Sequence, residues 1–463
     1  SVVSSSITSS KWKPASRPGM NKVALLLSLL LCGVSFSAER PNVIIILADD
    51  MAVGDLSSIN GGLSSTPTLD AMAESSVVFE NAYAGSPVCA PSRAAFLTGR
   101  YPHRTGSVTL NQIKHPELTR LHLDETTIAD RFQANGYATG IVGKWHSGPG
   151  AEYAPRKRGF DESVVFLDST DVETYFNYRL EHNDVLRHYG GEGYLTDILT
   201  KEAVDFVRRH ENEPFFLHLA HYAPHRPLSA PDEVTARYLN KGLDENIAQV
   251  YAMVEIMDTG IGVLLDELDA LGLAENTIVI FASDNGPDPL VGERFNGPLR
   301  GAKYEVTEGG IRVPFFVRWS GTLAPAPRSE PIHFTDIVPT LVEICGLEKG
   351  PQGLPLDGVS FAGLLSQDYG ACTPPPQRFW QWNRKTPDMT HNAAVREGDW
   401  KLVKPFVTKN YPKGPSELPY QLYDLSTDPT ESNDISAKHP GITDRLAKQY
   451  EAWFREVEAE RVD

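Results

Sequence analysis

The chain of 463 residues has a formal net charge of −17, with 60 acidic against 43 basic residues. This charge opposes binding to nucleic acid or to an anionic membrane surface, so an anionic substrate would need a local basic pocket. Seven Trp and seventeen Tyr residues argue against a disordered chain. The length fits one large domain, or a large and a small one.

The first 38 residues have the pattern of an export signal and not of a folded domain. Residues 1–19 are Ser-rich and without periodicity, and we expect them to be an upstream extension of the reading frame. Residues 20–38 have a positively charged start, a short apolar run and small residues before Ala38, which is typical of a secretory signal peptide. The apolar run is too short to span a bilayer. We therefore expect a secreted or periplasmic protein without a membrane span.

Two apolar runs predict buried strands that each end in a pair of oxygen-bearing side chains. The runs and their pairs are residues 42–48 with Asp49 and Asp50, and residues 277–283 with Asp284 and Asn285. Continuous β-branched runs are typical of parallel strands, whose carboxyl ends meet in one crevice. The four side chains suit a hard cation, Ca²⁺ or Mg²⁺, although a single Asp more often caps a helix or turn.

Cys89 lies at the start of a predicted helix. Pro91 suits the first turn, residues 92–97 are mostly good helix formers, and Gly99 suits the end. Free N–H groups at a helix N-terminus favour an anion, and Arg93, four residues on, lies on the same face. A reactive sulfur, a cation and an anion-binding helix end thus converge, whereas an isolated cysteine is more often a small buried hydrophobe.

The remaining elements alternate between strand and helix. We expect strands at residues 137–143, 214–220 and 314–319, and helices at residues 125–135, 194–210, 245–271 and 335–345. This alternation predicts an α/β fold with a large mixed, mostly parallel sheet between helices.

The pattern of predicted elements changes near residue 370. Short strands are expected at residues 378–382, 392–396, 400–403 and 421–425, followed by a helix at residues 441–458. We therefore predict a catalytic domain at residues 39–370 and a C-terminal subdomain, with an antiparallel sheet and a helix, at residues 371–463.

Other segments bring basic side chains to the ends of predicted strands. Lys144 and His146 are two residues apart and would share a face in an extended chain. His221 and His225 lie in a loop that follows another strand, and the residues alone do not choose between them. Lys303 precedes a further strand.

These segments resemble the type I sulfatases, a family of the alkaline-phosphatase-like superfamily. The resemblance rests on residues 89–100, which read Cys-x-Pro-Ser-Arg and then Leu-Thr-Gly-Arg, and on residues 136–146, 221–227, 299–314, 396–402 and 422–425. The family often has glycine where Ala302 stands, which leaves Lys303 undisturbed.

The resemblance implies the alkaline-phosphatase-like fold and two cofactors. A separate formylglycine-generating enzyme would oxidise Cys89 to formylglycine (3-oxoalanine). A divalent cation, calcium in preference to magnesium, would be held by the modified Cys89 together with Asp49, Asp50, Asp284 and Asn285.

The resemblance also implies hydrolysis of sulfate monoesters to an alcohol and inorganic sulfate. Three cations, Arg93, Lys144 and Lys303, would offset the negative charge that builds on the sulfate. Asp284 would accept a proton from the formylglycine hydrate, and His225 would donate a proton to the leaving alcohol. His146 would act as the base in the step that releases sulfate.

Two other functions fit the same residues. A phosphate or phosphonate monoesterase of the same superfamily would use a similar site, and a catalytically dead protein that binds sulfated glycans would retain much of the sequence. Secretion and a calcium-type site favour a sulfated carbohydrate substrate.

Sugar subsites are expected from Lys144, His225 and Lys303 and from aromatic and histidine side chains that would otherwise be ordinary packing residues. These are Tyr175, Phe176, Tyr178, His182 and His188 in a loop at residues 161–189, with Trp380, Trp382 and His391. Cys345 and Cys372 would form a disulfide or remain two thiols. The sequence gives no indication of oligomeric state.

Overall fold

The first predicted strand lies in the middle of a large sheet.

The structure is a computed structural model that describes residues 40–110, 113–167, 169–348, 350, 353–366, 370, 377–406 and 416–462. The predicted extension at residues 1–19, the signal peptide at residues 20–38 and Cys372 lie outside these residues.

The described strands are β1 (Asn42–Ala48), β2 (Val77–Phe79), β3 (Ala82–Tyr83), β4 (Ala138–Lys144), β5 (Glu162–Phe166), β6 (Val172–Thr174), β7 (Asn177–His182), β8 (Val185–Gly190), β9 (Phe215–Ala220), β10 (Thr277–Ser283), β11 (Phe315–Trp319), β12 (Ala326–Arg328), β13 (Ile332–His333), β14 (Arg378–Gln381), β15 (Ala393–Glu397), β16 (Trp400–Lys404) and β17 (Gln421–Asp424). The described helices are α1 (Ser57–Asn60), α2 (Pro67–Glu74), α3 (Cys89–Thr98), α4 (Pro102–Thr105), α5 (Ile128–Ala134), α6 (Leu195–Arg209), α7 (Asp232–Leu239), α8 (Glu245–Ala270), α9 (Glu308–Ile311), α10 (Ile337–Ile344), α11 (Ala362–Leu365) and α12 (Pro440–Val462).

Within the described residues the main sheet has 11 strands in the order β12-β2-β11-β10-β1-β9-β4-β5-β7-β6, with β8 paired to β7. The central strands β10, β1, β9, β4 and β5 are mutually parallel, whereas β11 and β7 pair antiparallel on either side of them. Strand β1 is buried along its whole length. The predicted mixed, mostly parallel sheet is confirmed.

Helices cover both faces of this sheet because alternate residues of β1 point to opposite sides. Ile44 and Ile46 pack with residues of α6 and α8 on one face. Val43, Ile45 and Leu47 pack with residues of α3, α5 and α10 on the other. Helix α8 is long and apolar enough to cross a membrane by length and composition, but 67% of its most apolar window is buried in the fold.

The structure shifts some predicted boundaries for visible local reasons. Helix α5 begins at Ile128, later than expected, because Thr127 and Asp130 cap its start reciprocally: Asp130 N donates to Thr127 Oγ1 at 3.1 Å and Thr127 N to Asp130 Oδ2 at 2.8 Å. Helix α10 begins at Ile337, because the three preceding residues form a 3₁₀ turn.

The segment at residues 161–189 is not the predicted loop. It forms β5 to β8 and extends the main sheet to one edge. In β7 the buried side chains of Tyr178 and Leu180 flank the exposed Arg179, which is the period-2 pattern of a strand.

The C-terminal part forms the predicted antiparallel sheet, whose described strands pair in the order β14-β15-β16-β17, followed by α12. A buried ion cluster ties this sheet to α9. Lys401 Nζ lies 2.7 Å from Glu308 Oε1 and 2.9 Å from Glu431 Oε1. Tyr83 OH donates to Glu308 Oε2 at 2.7 Å. Residues from β3, α9 and β16 thus share one polar network.

We predict that Lys401→Met lowers protein stability strongly, because it leaves two buried carboxylates without their shared cation. Breaking a buried pair in this way costs about 3–5 kcal/mol. Chemical denaturation followed by tryptophan fluorescence measures the change. Lys448→Met, at an exposed position of α12, is the matched control. Equal unfolding midpoints for the two variants would contradict the role given to this cluster.

Candidate active site

The predicted carboxylate pairs meet at one edge of the main sheet. Strands β1 and β10 are adjacent and parallel, with Ala48 opposite Ser283, so the residues that follow them lie side by side. Asp50 has a left-handed backbone conformation (φ 65°), which turns the chain out of the strand. That turn lets both Asp49 and Asp50 face the same point. Asp49, Asp50, Asp284 and Asn285 are all buried.

Helix α3 carries Cys89 to this point. The helix begins at Cys89 and ends before Gly99, whose positive φ of 74° is the conformation that glycine adopts most readily. Every residue of α3 is buried. Cys89 Sγ lies 3.3 Å from Asp49 Oδ1 and 4.0 Å from Asp50 Oδ1.

Each predicted cation is paired with a carboxylate of this group. Arg93 Nη2 lies 2.8 Å from Asp284 Oδ2 and 3.3 Å from Asp49 Oδ2. Lys144, the last residue of β4, forms an ion pair with Asp49. Lys303 Nζ lies 2.7 Å from Asp50 Oδ1. All three cations are buried, so their charge is poorly screened by water.

The histidines differ in their relation to the site. His225 Nε2 lies 3.6 Å from Asp50 Oδ2, and its Nδ1 contacts the carbonyl of Arg226. His146 faces the same cavity as Cys89, with Nε2 3.0 Å from the Leu110 carbonyl oxygen. Its φ of 52° replaces the extended conformation that the sequence predicted for residues 144–146. His221 is fully buried, and burial lowers its pKa to about 3.

The electrostatics of the site follow from burial and close opposite charges. Burial opposes ionisation of Asp49, but Lys144, with smaller effects of Arg93 and Lys303, holds its pKa well below the usual range. Burial and the charge of Asp49 raise the pKa of Asp284 to about 6. Burial, with Asp284 and Asp49, raises the pKa of the Cys89 thiol well above its ordinary value, so the unmodified thiol is neutral.

Burial and the nearby Lys303 lower the pKa of His225 well below its ordinary value. The imidazole is therefore neutral at pH 7, and the hydrogen bond to the Arg226 carbonyl requires the proton on Nδ1. Nε2 is then the nitrogen that faces Asp50.

The donor set fits a hard cation. Ligand atoms of Asp49, Asp50, Cys89 and His225 all lie within 4.8 Å of one another. Asn285 donates from Nδ2 to Asp50 Oδ1 at 2.6 Å, whereas its Oδ1 is buried and has no hydrogen-bond partner among the described residues. A carbonyl oxygen buried without a donor is the kind of ligand that Ca²⁺ and Mg²⁺ accept. Asp284 is not one of the four residues Asp49, Asp50, Cys89 and His225; its Oδ2 lies 2.8 Å from Arg93 Nη2, and its Oδ1 accepts a hydrogen bond from Asp50 N at 3.3 Å.

A cavity of about 280 Å³ opens above these groups. Its walls include Cys89, Lys144, His146, His225 and Lys303, so the structure brings these five predicted residues to one space. Arg226, Tyr304 and Arg384 add to its polar lining, with Ser169 and Thr170. Arg226 and Tyr304 lie within the segments 221–227 and 299–314 that carry the family resemblance, but the sequence analysis assigned neither of them a role; Arg384 lies outside those segments.

Most of the aromatic side chains expected at sugar subsites pack inside the fold. Trp380 is buried, and its Nε1 donates to the Ala84 carbonyl at 2.8 Å. His391 is buried beside Asp388 in the C-terminal part. Trp382 alone of this trio lines a cavity. Trp380 and His391 are therefore packing residues in this structure.

Among the residues expected from the segment at 161–189, Tyr175 supports the site from behind. Its hydroxyl donates to the His225 carbonyl at 3.0 Å, and its ring stacks on Tyr222, which stacks on His225. The others face elsewhere: Phe176 packs on Tyr194, Tyr178 and His182 pack on Tyr189, and His188 is exposed. The same segment reaches the cavities through Ser169, Thr170, Val172 and Glu173 instead.

A second buried pair supports the carboxylates. Arg294 donates to the Asp50 carbonyl at 2.6 Å and to both carboxylate oxygens of Asp55 at 2.8 and 2.9 Å. Asp55 in turn accepts from Ala52 N at 2.7 Å. The pair fixes the turn after β1. The sequence offered no signal for it, since the two residues are far apart in the chain.

Cys345 is buried in the core on the α3 side of the sheet and has no disulfide partner among the described residues. The proposed disulfide partner, Cys372, is outside the described residues. The thiol of Cys345 is thus separate from the site.

Comparisons with known proteins agree on one family. Residues 41–347 match the family described as Sulfatase, and residues 302–456 match the family described as N-sulphoglucosamine sulphohydrolase, C-terminal. The chain is 30% identical to an N-acetylgalactosamine-6-O-sulfatase of Bacteroides thetaiotaomicron, over 90% of this chain and 93% of that protein. It is 29% identical to arylsulfatase A of Bos taurus, over 88% of this chain and 86% of that protein.

A solved structure gives the same picture. The crystal structure of Ps i-CgsB in complex with k-i-k-neocarrahexaose superposes with a TM-score of 0.76 at 30% identity, covering 90% of this chain and 93% of that one.

We predict that Gly286→Ala disrupts the carboxylate cluster, because Gly286 packs directly on α9. Gly286 N donates to the Gly310 carbonyl at 3.0 Å, and a Cβ at residue 286 would lie 1.9 Å from the Gly309 carbonyl oxygen. The loop that carries Asp284 and Asn285 must then move. Calorimetric titration should show that the dissociation constant for Ca²⁺ is at least about tenfold larger than in the wild type.

Gly441→Ala is the matched control, because a Cβ there meets no atom within 4 Å. Its Ca²⁺ affinity should equal that of the wild type. Unchanged affinity in Gly286→Ala as well would show that the close packing on α9 does not set the geometry of the site.

Proposed function

The chain belongs to the sulfatase family and is a sulfuric ester hydrolase, and we propose that it desulfates a carbohydrate through a formylglycine made from Cys89. The observation that carries the proposal is the position of Cys89: its Sγ lies at the start of α3, 3.3 Å from Asp49, within a ring of buried cations. We also propose maturation by a formylglycine-generating enzyme and, from residues 20–38, export before action.

We propose that Asp49, Asp50, Asp284, Asn285 and the modified residue 89 hold a divalent cation, calcium in preference to magnesium. When bound, the cation would stabilise the sulfate oxygens as a Lewis acid. The formylglycine would supply a nucleophilic hydroxyl oxygen for attack at sulfur. The orphaned Asn285 Oδ1 supports this assignment of ligands.

We propose that two cations of the cavity wall, Lys144 and Lys303, bind the sulfate together with Arg93, which does not line the cavity but is paired with Asp49 and Asp284. Arg93, Lys144 and Lys303 remain charged in the buried site, because close carboxylates raise each pKa against the effect of burial. They would hold the sulfate oxygens and oppose the charge that builds on them in the transition state. Because the residues are already fixed by ion pairs, little reorganisation is needed when the substrate arrives.

Protons would move at defined atoms. Asp49 Oδ1 is the carboxylate oxygen at 3.3 Å from Cys89 Sγ, and Arg93 joins Asp49 to Asp284. We propose that this carboxylate pair, with Asp284 as the acceptor named from sequence, receives the proton from residue 89.

To act as the donor to the leaving alcohol, His225 would first take up a proton from solvent on Nε2, because the resting imidazole is neutral and its Nδ1 is engaged by the Arg226 carbonyl. It would then pass the Nε2 proton to the alcohol oxygen. His146 donates from Nε2 to the Leu110 carbonyl, so Nδ1 would be the accepting nitrogen when sulfate is released. The two histidines line the same cavity as Cys89 and thus act from within one space.

The substrate class is proposed from the relatives. An N-acetylgalactosamine-6-O-sulfatase and a protein crystallised with a neocarrahexaose both align over nine-tenths of this chain. A sulfate monoester of a sugar in an oligosaccharide or polysaccharide fits this pattern, with the cavity of about 280 Å³ taking the sulfate end.

Cys89→Ala should abolish hydrolysis of p-nitrophenyl sulfate, with a loss of at least about a thousandfold in kcat, because the nucleophile is removed. Peptide mass spectrometry across residue 89 should find the aldehyde in the active wild type. Cys345→Ala, which removes the other buried thiol, should keep near wild-type turnover. Near wild-type turnover in Cys89→Ala would refute the proposal.

The matched phosphate ester extends this test. A sulfate monoester carries one negative charge, whereas a phosphate monoester carries about two at neutral pH. The extra charge would unbalance a site in which carboxylates and cations are already paired, so we expect kcat/KM to favour the sulfate ester. A preference for p-nitrophenyl phosphate would assign the protein to phosphate ester hydrolysis instead.

A further inference from the structure

A second, basic cavity adjoins the one that contains Cys89. It has a volume of about 200 Å³, and Leu110 and Arg384 line both cavities. Its remaining polar and aromatic walls come from Lys114, His115, Trp382 and Lys385. We call this space the basic chamber. None of the described residues that line it is acidic.

The cavity on the opposite side differs in charge. It has a volume of about 600 Å³ and meets the Cys89 cavity at Ser169, His225 and Arg226. Its polar walls include Glu173, Asn246 and Gln249. Its one described cation, Arg226, is paired with Asp288 at 2.6 Å. The basic chamber and this larger cavity thus join the Cys89 cavity at different residues; among the described residues, the chamber is lined by cations without an acid, and the larger cavity by one cation and one acid, Arg226 and Glu173.

We propose that the basic chamber binds a second anionic group, a sulfate or a carboxylate, on the sugar unit next to the one that carries the scissile sulfate. This inference rests on the proposed sulfatase function and names the substrate more closely: a carbohydrate with negative charges on adjacent sugars. The larger cavity takes an uncharged part of the same chain.

Arg384 is placed to connect the two anion sites. It lies between the cavities, with its Cζ 5.2 Å from the centre of the Tyr304 ring. Its carbonyl accepts from Thr109 Oγ1 at 2.6 Å, which ties the turn after β14 to the segment before Lys114. Stacking of a guanidinium on an aromatic face restricts its motion and leaves its edge to bind an anion.

Trp382 gives the chamber a donor as well as cations. Its side chain is almost completely buried beside Tyr304, and its Nε1 has no hydrogen-bond partner among the described residues. Buried indole N–H groups normally find an acceptor. A sulfate or carboxylate oxygen would supply an acceptor for this N–H group. The Lys and Arg side chains of the chamber cannot, because they only donate hydrogen bonds.

The charge of the protein as a whole favours such a site. With a net charge of −17, the surface repels a polyanionic carbohydrate at long range. Local cations beside the reaction cavity offset that repulsion where the substrate binds. They also discriminate between substrates, because a neutral neighbouring sugar gains nothing from them.

The test compares paired oligosaccharides as inhibitors of p-nitrophenyl sulfate hydrolysis by the formylglycine-containing enzyme. One pair is carrageenan tetrasaccharides with one or two sulfates per disaccharide repeat. The other is chondroitin sulfate disaccharides with the uronate intact or reduced to the alcohol. The first pair probes sulfate in the chamber, and the second probes carboxylate. We expect the more highly charged member of at least one pair to bind about tenfold more tightly.

The variant is Lys114→Gln/Lys385→Gln, which neutralises two exposed side chains of the chamber and leaves the groups around Cys89 intact. It should reduce the difference within the pair to less than about threefold, at unchanged kcat and KM for p-nitrophenyl sulfate. Lys157→Gln/Lys448→Gln, at exposed positions that line none of the described cavities, should keep the wild-type difference.

Equal inhibition within both pairs, or a preference that survives in Lys114→Gln/Lys385→Gln, would overturn the inference. Failure of the proposed function is a separate result: the enzyme would not hydrolyse p-nitrophenyl sulfate at all. In that case calorimetric titration of the same pairs still measures whether the chamber binds the second charge.

Discussion

The site depends on a balance between buried charges of opposite sign. Among the described residues around Cys89, three carboxylates, those of Asp49, Asp50 and Asp284, face three cations. An isolated buried ion is costly, whereas a paired and hydrogen-bonded one is tolerated. The balance allows the protein to keep a strongly charged centre in its interior. The proposed divalent cation would add two positive charges, which a sulfate monoester and a deprotonated hydroxyl on residue 89 would together offset.

The fold serves this balance by fixing the backbone that carries each charge. Parallel pairing of β1 with β10 brings two loops together, and the left-handed turn at Asp50 lets neighbouring carboxylates face one point. A non-glycine residue in this conformation costs roughly 1–3 kcal/mol and persists where its surroundings enforce it. Arg294 enforces it here through its hydrogen bond to the Asp50 carbonyl. The segment that carries Lys303 leads into α9, which the C-terminal sheet holds through Lys401. The small sheet thus belongs to the support of the site.

The sequence predicted the parts of the site that depend on local pattern and strand order. Continuous β-branched runs ending in Asp49-Asp50 and Asp284-Asn285 identified adjacent parallel strands and their meeting point. Proline and glycine spacing identified the helix at Cys89. These features are encoded within a few residues, so they can be predicted without the fold.

Features that depend on contacts between distant segments could not be predicted. The pairing of Arg294 with Asp55 and the position of Arg384 over Tyr304 join parts of the chain with no common motif. Aromatic residues were also ambiguous, because a buried ring and a ring that binds sugar have the same sequence pattern. Trp380 packs against Ala84, whereas Trp382, two residues on, lines the basic chamber. The period-2 pattern of β7 was present in the sequence, but its position in a long connection concealed it.

The most direct test of the charge balance is a crystal structure of the formylglycine-containing protein grown with Ca²⁺, with the cation located by anomalous scattering. We expect one strong peak among the oxygens of Asp49, Asp50, Asp284, Asn285 and residue 89, with Arg93, Lys144 and Lys303 still around it. A peak elsewhere, or a residue 89 side chain turned away from these carboxylates, would contradict it.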